Sequence, residues 1–505
     1  MFKYIAPRRF FVSLALIALF VTWTLANLSF ATQLFEKLQT DISNTLGWLV
    51  ILAANGFLVF ILYLGFSKFG KIRLGGANAT PEFSFGSWIA MLFSAGLGIG
   101  LLFYGVAEPI MHLDSFPLTD ETSFSSKAQK SMNLAFLHWG FHGWAVYGVV
   151  GLCFGISAYN LNKPFRISSM VENRLTQSKY GRVSIDVLAI LTTIFGVATS
   201  LGLGATQINS GLNYLGLLEQ SFFNKVWIIA LITLLGLVSV VLGLKAGIKR
   251  LSEINIVLCI CLLLIIFILG PTSFILNGLI QNIGSYLQNL LGLSTWSENY
   301  AGSAWQNDWT LFYYSWWFAW SPFVGLFIAR VSYGRSIKEF VMGVVIVPAL
   351  MVFVWMGTFG NAAIFLEYFG GINLSDAINE DISVSLFLFL QQFPFANFLM
   401  GASIIIILTF FVTSSDSGAL VTSMLSASKE SSQDEDPPML PRVVWATSLG
   451  VVAAALLAGG GLGALQTSVL VTGVPFAIII ALGGWTLLKR LQILFIESKQ
   501  RDTLS

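Results

Sequence analysis

The sequence predicts an all-α polytopic membrane protein with about twelve transmembrane helices, and three observations lead to this fold class. Hydrophobic residues make up 56% of the 505 residues, and only 10% are charged. The mean hydropathy is +0.78, whereas ordinary soluble domains carry about 25% charged residues. Apolar runs near the roughly 20 residues that cross a bilayer recur along the whole chain. This composition excludes a soluble globular protein.

The distribution of basic residues predicts the orientation of these spans. Lys and Arg accumulate on the cytoplasmic side of membrane proteins. With the N-terminus in the cytoplasm, 23 of the 27 basic residues fall inside, because only Lys37, Lys127, Lys130 and Lys225 fall outside. We therefore expect a multi-pass protein of the plasma membrane, the inner membrane of a bacterium, with both termini cytoplasmic. The spans are placed at residues 10–30, 46–68, 84–109, 131–158, 184–214, 224–246, 250–270, 309–329, 340–366, 395–427, 440–460 and 463–488.

The first two spans have few polar residues, and the third is rich in glycine. Gly96, Gly98 and Gly100 alternate with larger apolar residues, and each glycine costs a helix interior roughly 1 kcal/mol. A break in the helix is one interpretation. A packing notch of small residues four apart, Gly96 and Gly100, is the other.

The fourth span has an aromatic face. Trp139, Trp144 and Tyr147 cover an arc of roughly 140° on a helical wheel, wide enough to wrap one side of a small ligand. An ordinary aromatic core is the alternative. His138 and His142 stand four residues apart, but the sequence offers no third ligand, which favours structural histidines over a metal site.

The fifth span contains another glycine-rich segment, TSLGLG, after Thr192 and Thr193. Beyond the seventh span, residues 271–305 are interrupted by Pro271 and several polar residues. This pattern is typical of an amphipathic helix that lies on the outer surface of the membrane.

The eighth span is an aromatic wall. In the run DWTLFYYSWWFAWSPFVGLF, aromatic residues recur at steps of three and four residues, which places them on one helix face. Tryptophan normally prefers the membrane–water boundary, so three of them within five residues inside a span need another explanation. Aromatic faces suit a cation without hydrogen-bond donors. The face consists of Phe312, Trp316, Trp320, Phe323 and Phe327.

The tenth span has the most polar run inside any span. Thr413 and Ser414 follow Phe410 by one turn, so their hydroxyls and the Phe410 carbonyl can converge on one small cation. Asp416 is a functional-site candidate because intramembrane carboxylates are rare, and a hydrogen-bonded structural role is equally compatible with the sequence. Glu108, Asp416, His138 and His142 form no recognisable enzyme constellation in the sequence.

The two irregular spans, the third and the eighth, each open a block of five spans. Paired irregular helices at matching positions indicate a transporter built from inverted repeats. The expected organisation is residues 1–83 with two additional helices, 84–270 as repeat 1, 271–308 as connector, 309–488 as repeat 2 and 489–505 as a short cytoplasmic tail.

At this point four motifs resemble one known family. The run DWTLFYYSWWFAWSPFVGLFIARVSYGRSI, together with GLGIG followed by YGVAEP, HWGFHGWAVY and FFVTSSDSG, is similar to the betaine/choline/carnitine transporters (BCCT) across essentially the whole chain. The resemblance implies a leucine-transporter-like fold, a homotrimer, and transport of onium solutes. Trp139, Trp144, Tyr147 and Trp317 match the aromatic cage around the substrate ammonium. Trp316, which we group with the substrate-binding residues, Trp320 and Phe323 match the pathway below it, and the main chain of Ala95, Leu97 and Ile99 matches the segment that faces the substrate carboxylate.

The resemblance also implies sodium sites. One matches five residues, of which the first three would offer only main-chain carbonyls: Ser94, Leu97, Phe410, Thr413 and Ser414. A second site matches Thr193 and Phe323. Where sodium-coupled relatives have a further threonine this chain has Val197, so the number of coupled ions stays open.

We therefore expect a sodium symporter for glycine betaine. Gly100 resembles the sodium-coupled betaine type, and the fifth span lacks the Arg of sodium-independent exchangers. A carnitine/betaine-type exchanger and a proton-coupled choline transporter are the alternatives. The expected partners are an onium solute and the lipid bilayer, with no nucleic acid, no cofactor besides Na⁺ as coupling ion, and no enzymatic activity. The dense aromatic constriction argues against a channel, and the short tail predicts weak osmotic activation.

Overall fold

The computed structural model is a bundle of helices and describes residues 4–96, 100–117, 123–242, 245–428 and 437–502. Within those residues, β structure is limited to two isolated bridges, Ile5 with Ala427 and Arg73 with Ser336. The all-α fold class is confirmed. We number the long helices α1 Pro7–Ala26, α2 Leu28–Phe66, α3 Phe85–Gly96, α4 Gly100–Ser115, α5 Phe124–Trp139, α6 Phe141–Gly155, α7 Lys179–Tyr214, α8 Phe222–Leu242, α9 Lys245–Leu269, α10 Thr272–Thr295, α11 Thr310–Val331, α12 Ile337–Tyr368, α13 Ala396–Leu425 and α14 Met439–Asp502.

Eight helices in the described part of the chain are long and apolar enough to cross a membrane, or nine if the bent pair of α9 and α10 is one span. α14 counts once although it has 64 residues, about three times the length of one crossing. Its dihedral angles are non-helical at Gly460 and Gly461, between the two spans predicted there. The aromatic helix α11 is not among the eight, so the total of twelve stays a prediction.

The first two helices differ from their predicted bounds. α1 ends at Ala26 rather than at residue 30, because Asn27 leaves the helical region with φ −137° and ψ 49°. α2 has 39 residues and is therefore about 58 Å long, roughly twice the thickness of the hydrocarbon core. Its first half carries Glu36, Lys37 and Asp41. A reading based on apolar runs omits such a polar helical extension.

The fourth predicted span is two helices. α5 ends at Trp139 and α6 begins at Phe141, because Gly140 has φ −89° and ψ −136°. A Cβ at this glycine would lie 2.4 Å from the Phe136 carbonyl oxygen. The prediction of one continuous helix is wrong here. The fifth predicted span, in contrast, is one helix: α7 stays helical over 36 residues despite its glycines.

The predicted surface segment contains a helix, α10, whose axis turns by 111° from the end of α9. Asn282 on α10 donates a side-chain hydrogen bond of 3.1 Å to Asn361 on α12. This contact joins α10 to the bundle. The location of α10 at the outer surface of the membrane stays a prediction, and so does the division of the chain into two inverted repeats.

The centre of the bundle is α11, in which nearly every residue is buried. It packs against α6, α7 and α14. In the most apolar stretch of each helix, the share of residues that are buried is 94% across α5 and α6 and 89% in α7. The same share is 28% in α1 and in α8. The helices that carry the predicted aromatic residues are therefore interior, and α1 and α8 lie on the outside.

Candidate functional site

Trp317 is hydrogen-bonded to the main-chain carbonyl of His138 in the fourth span. The break at Gly140 leaves this carbonyl without a donor from its own helix. In a continuous helix, the carbonyl of His138 would accept a hydrogen bond from the amide of residue 142. The indole N–H of Trp317 donates to this carbonyl instead, at 2.9 Å. The break thus connects α11 to the junction between α5 and α6.

The four residues of the predicted aromatic cage come together around Trp317. Its ring centroid lies 5.0 Å from Tyr147, 5.9 Å from Trp139 and 6.2 Å from Trp144. Trp144 and Tyr147 are 5.8 Å apart and nearly perpendicular. These distances fall within the range of interacting aromatic pairs. Three helices therefore contribute to one aromatic cluster.

Each indole of the cage rests against a glycine. A Cβ at any of these glycines would lie between 2.1 and 2.4 Å from the indole, closer than real Cβ atoms approach. The packing-notch interpretation of Gly96 and Gly100 therefore holds, with tryptophans as the groups that fill the notches. Residues 97–99 lie outside the described part of the chain, so the alternative of a helix break is not addressed. The pairs are Gly96 with Trp144, Gly100 with Trp139 and Gly143 with Trp317.

The cage borders a small cavity of about 20 Å³, about the volume that one water molecule needs. Trp144 is not on its wall and stands behind Tyr147 and Trp317. Ser200 of α7 is a lining residue that the sequence reading did not single out, although it lies in the hydroxyl- and glycine-rich segment noted there. The wall is formed by Gly96, Gly100, Trp139, Tyr147, Ser200, Trp316, Trp317 and Trp320.

The predicted pathway residues continue from the cavity along α11. The Trp320 ring lies 5.7 Å from that of Phe323, and its indole N–H donates to the Gly196 carbonyl at 2.8 Å. This bond fixes α11 against α7. Thr193 precedes Gly196 by three residues, so the two residues of the predicted second sodium site lie within one turn of this crossing. The Thr193 hydroxyl donates to the Ala189 carbonyl at 2.9 Å.

The first predicted sodium site is only partly visible. On α13, the Thr413 hydroxyl donates to the Phe410 carbonyl at 2.9 Å, which brings two of the predicted oxygen ligands together. Ser414 is half-buried. The side chains of Ser94 and Ala95, and Leu97 and Ile99 altogether, lie outside the described part of the chain. The ligand set and the carboxylate-facing segment therefore stay predictions.

Beside the cage, the structure assembles a polar cluster that the sequence reading did not find. The Glu108 carboxylate is fully buried and lies 2.5 Å from His138 Nδ1 and 3.3 Å from His112 Nε2. It also accepts hydrogen bonds of 2.7 Å from the Trp139 N–H and from the Tyr313 hydroxyl. The sequence alone did not join Glu108 to His138, because these contacts link segments up to 205 residues apart. The presence of an intramembrane glutamate was the available signal.

This cluster replaces the histidine pair considered from the sequence. His142 lies apart, with its Nε2 3.2 Å from Asn55 Oδ1. The donor atoms of Glu108, His112 and His138 lie within 4.8 Å of one another, so this trio is the described set closest to a metal-ligand arrangement. The 2.5 Å separation of Glu108 and His138 is shorter than that of two ligands each about 2 Å from an ion. The geometry is that of a hydrogen-bonded network.

Asp416 belongs to a structural ion pair. Its carboxylate lies 2.7 Å from Arg442 Nη2 and accepts a 2.8 Å hydrogen bond from the Ser239 hydroxyl. The aspartate is almost fully buried. Of the two interpretations left open for Asp416, these contacts support the structural one, in which α8, α13 and α14 are joined.

Comparison with known proteins gives a consistent result. Residues 9–494 match the family model described as BCCT, betaine/carnitine/choline family transporter. A glycine betaine transporter of Acinetobacter baylyi is 40% identical, over 97% of this chain and 74% of that protein. The glycine betaine transporter OpuD of Bacillus subtilis is 38% identical, over 94% of this chain and 92% of that protein. The osmo-dependent choline transporter BetT2 of A. baylyi is 37% identical, over 96% and 71% respectively.

These matches cover nearly all of the chain, including every helix that contributes to the cage. The matched proteins are transporters, so the predictions of a multi-pass membrane transporter and of a protein that is not an enzyme are confirmed. A small quaternary ammonium solute and the membrane are the partners that this membership carries. The chain belongs to the betaine/carnitine/choline (BCCT) family of transporters.

Proposed function

We propose that this protein imports glycine betaine by sodium symport, through alternating access to the cavity between α3, α4, α5, α6, α7 and α11. One observation carries the proposal: the rings of Trp139, Tyr147 and Trp317 converge on a single cavity between interior helices. A quaternary ammonium has no N–H to donate, so ring faces are its natural partners. Two of the matched relatives are glycine betaine transporters.

The trimethylammonium head would bind against the ring faces of the cage. Each well-placed ring would contribute about 1–2 kcal/mol in this buried setting. The carboxylate would face the main chain near Gly96 and Gly100, which line the same cavity. A zwitterion therefore suits a site whose wall combines aromatic rings with main chain.

Sodium coupling would supply the driving force, because glycine betaine carries no net charge. One Na⁺ moving through 100 mV releases about 2.3 kcal/mol, which corresponds to roughly fiftyfold accumulation. Two ions would give roughly thousandfold accumulation of the solute. Phe410 and Thr413 would be two of the ligands, and their oxygens are joined by a hydrogen bond; Ser94, Leu97 and Ser414 would complete the site.

Uptake of labelled glycine betaine into proteoliposomes tests this function. We expect uptake that requires an inward sodium gradient and rises with an inside-negative potential. Uptake that persists without sodium and requires internal substrate would instead establish the exchanger alternative. Uptake of choline driven by a proton gradient would establish the third possibility, which the match to a choline transporter keeps relevant.

The cage is tested by Trp317→Ala. This change removes a ring of the cavity wall together with the hydrogen bond to the His138 carbonyl, so we expect binding of glycine betaine to be abolished. Trp227→Ala is the matched control, because that tryptophan is 61% exposed on the outer helix α8. Retained affinity in Trp317→Ala would show that the solute binds elsewhere. A homotrimer and cytoplasmic termini remain part of the proposal.

A further inference from the structure

The carboxylate of Glu108 lies directly behind the aromatic cage. It sits on α4 with no exposed surface, and one of its oxygens accepts hydrogen bonds of 2.7 Å from both Trp139 Nε1 and Tyr313 Oη. Trp139 lines the cavity with its ring. Only the width of one indole therefore separates a buried acid from the space where a solute would bind.

The buried carboxylate of Glu108 is surrounded by hydrogen-bonding partners. His138 Nδ1 and His112 Nε2 approach the second carboxylate oxygen at 2.5 and 3.3 Å. His138 Nε2 lies 3.0 Å from the Thr310 hydroxyl, which can donate to it. In the described structure, His112 Nδ1 has no hydrogen-bond partner. His112 donates to Glu108 as a neutral imidazole, because an imidazolium there would bury an unpaired N–H donor. His138 donates through Nδ1 in either protonation state, because the Thr310 hydroxyl can accept from Nε2 as well as donate to it.

The cluster therefore holds one carboxylate, and His138 is the one imidazole beside it that could carry a balancing charge. Among the residues that the structure describes, no lysine or arginine lies within ion-pair distance of Glu108. The remaining neighbours are phenols and indoles: Tyr104, Trp139 and Tyr313. A buried charge in a membrane protein needs a counter-charge, and a bound ligand is one known way to supply it.

We propose that Glu108 is the counter-charge of the onium head group and makes the cage selective for a full positive charge. This inference rests on the proposed function of the cavity. The carboxylate acts through Trp139, to which it is hydrogen-bonded: it orients the indole and raises the electron density of the ring face that meets the cation. Glu108 is a positioning and selectivity residue and does not touch the solute.

The test compares ligands that share a shape and differ in charge. Choline and 3,3-dimethylbutan-1-ol have the same outline, with nitrogen in the first and carbon in the second. We would measure the dissociation constants of both on the purified full-length chain, in the wild type and in Glu108→Gln. Glutamine keeps an oxygen that accepts from Trp139 and Tyr313 and removes the charge. We expect choline to bind roughly tenfold more weakly and the neutral isostere to bind unchanged.

Tyr313→Phe is the matched control, because it removes one hydrogen bond to the same oxygen and leaves the charge in place. It should preserve the ratio of the two dissociation constants. If Glu108→Gln does not fold, His112→Lys neutralises the carboxylate with an adjacent ammonium, and the same loss of choline affinity is expected.

An unchanged ratio of the two dissociation constants in Glu108→Gln would overturn the proposal. If both ligands also bind more weakly, Glu108 has only a structural role. Glycine betaine is measured alongside in the wild type. If it does not bind, the proposed function itself is contradicted, so the two failures are distinguishable.

Discussion

The indole of Trp317 packs against Gly143, so close that a Cβ at position 143 would be 2.2 Å from its ring. The same indole donates to the His138 carbonyl at 2.9 Å. Both contacts come from the segment around the break at Gly140. The position of the central ring in the cage is therefore set by main-chain atoms of the neighbouring span, which cannot move away as a side chain can.

Gly143→Ala should displace Trp317 and weaken glycine betaine binding by at least tenfold, because the added methyl overlaps the ring. Isothermal titration with purified protein would measure this. Gly56→Ala on α2 is the control, since nothing lies within 4 Å of a Cβ there, and it should leave binding intact. Unchanged affinity in Gly143→Ala would mean that glycine betaine binding does not depend on the position of the Trp317 ring.

Trp317→Phe separates the ring face from its hydrogen bond. The phenyl ring keeps part of the cation–π surface but leaves the His138 carbonyl without its donor. One lost hydrogen bond in a buried setting corresponds to about 1 kcal/mol, so we expect a loss of affinity of five- to tenfold, well short of the loss in Trp317→Ala. Equal effects of the two variants would argue that the hydrogen bond alone positions the site.

Breaking the Asp416–Arg442 pair should destabilise the protein without changing solute selectivity. Asp416→Asn leaves the Arg442 guanidinium, whose side chain is only 12% exposed, without its charge partner, which typically costs about 3–5 kcal/mol. The melting temperature in detergent would report the loss. The double variant Asp416→Asn with Arg442→Gln should recover part of it.

The Lys127–Asp114 ion pair provides a surface control, because the aspartate side chain is 75% exposed. Asp114→Asn should shift the melting temperature very little, since exposed pairs contribute at most about 1 kcal/mol. An Asp416→Asn variant as stable as Asp114→Asn would contradict the structural role of the buried pair.

Val197→Thr should change the sodium stoichiometry if the proposed coupling is correct. Val197 follows Thr193 by one turn of α7, and its side chain lies near Gly418 of α13. We expect the wild type to couple one Na⁺ and the variant to couple two, because threonine supplies a hydroxyl ligand in a similar volume. Reversal potentials in proteoliposomes would measure the ratio. An unchanged ratio would show that position 197 does not control the second ion.

Periodicity predicted an aromatic face with Trp139, Trp144 and Tyr147, and the family resemblance added Trp317 to them as a cage. Neither predicted how the four rings are arranged. The placement of Trp144 behind the cavity wall depends on Gly96, which receives its indole. The break at Gly140 was missed because HWGFHGW lies inside an unbroken apolar run, where periodicity cannot show a local change of direction.

The chain's composition was enough to predict a helical membrane protein, and the spacing of its aromatic residues was enough to suggest a ligand that ring faces would hold. Both are local properties, because the cost of placing charge or backbone in lipid acts on each segment separately. The buried environment of Glu108 was established only by the fold, since its four hydrogen-bond donors come from positions 112, 138, 139 and 313. Contacts between helices that are distant along the chain depend on how the helices pack, and no single segment carries that information.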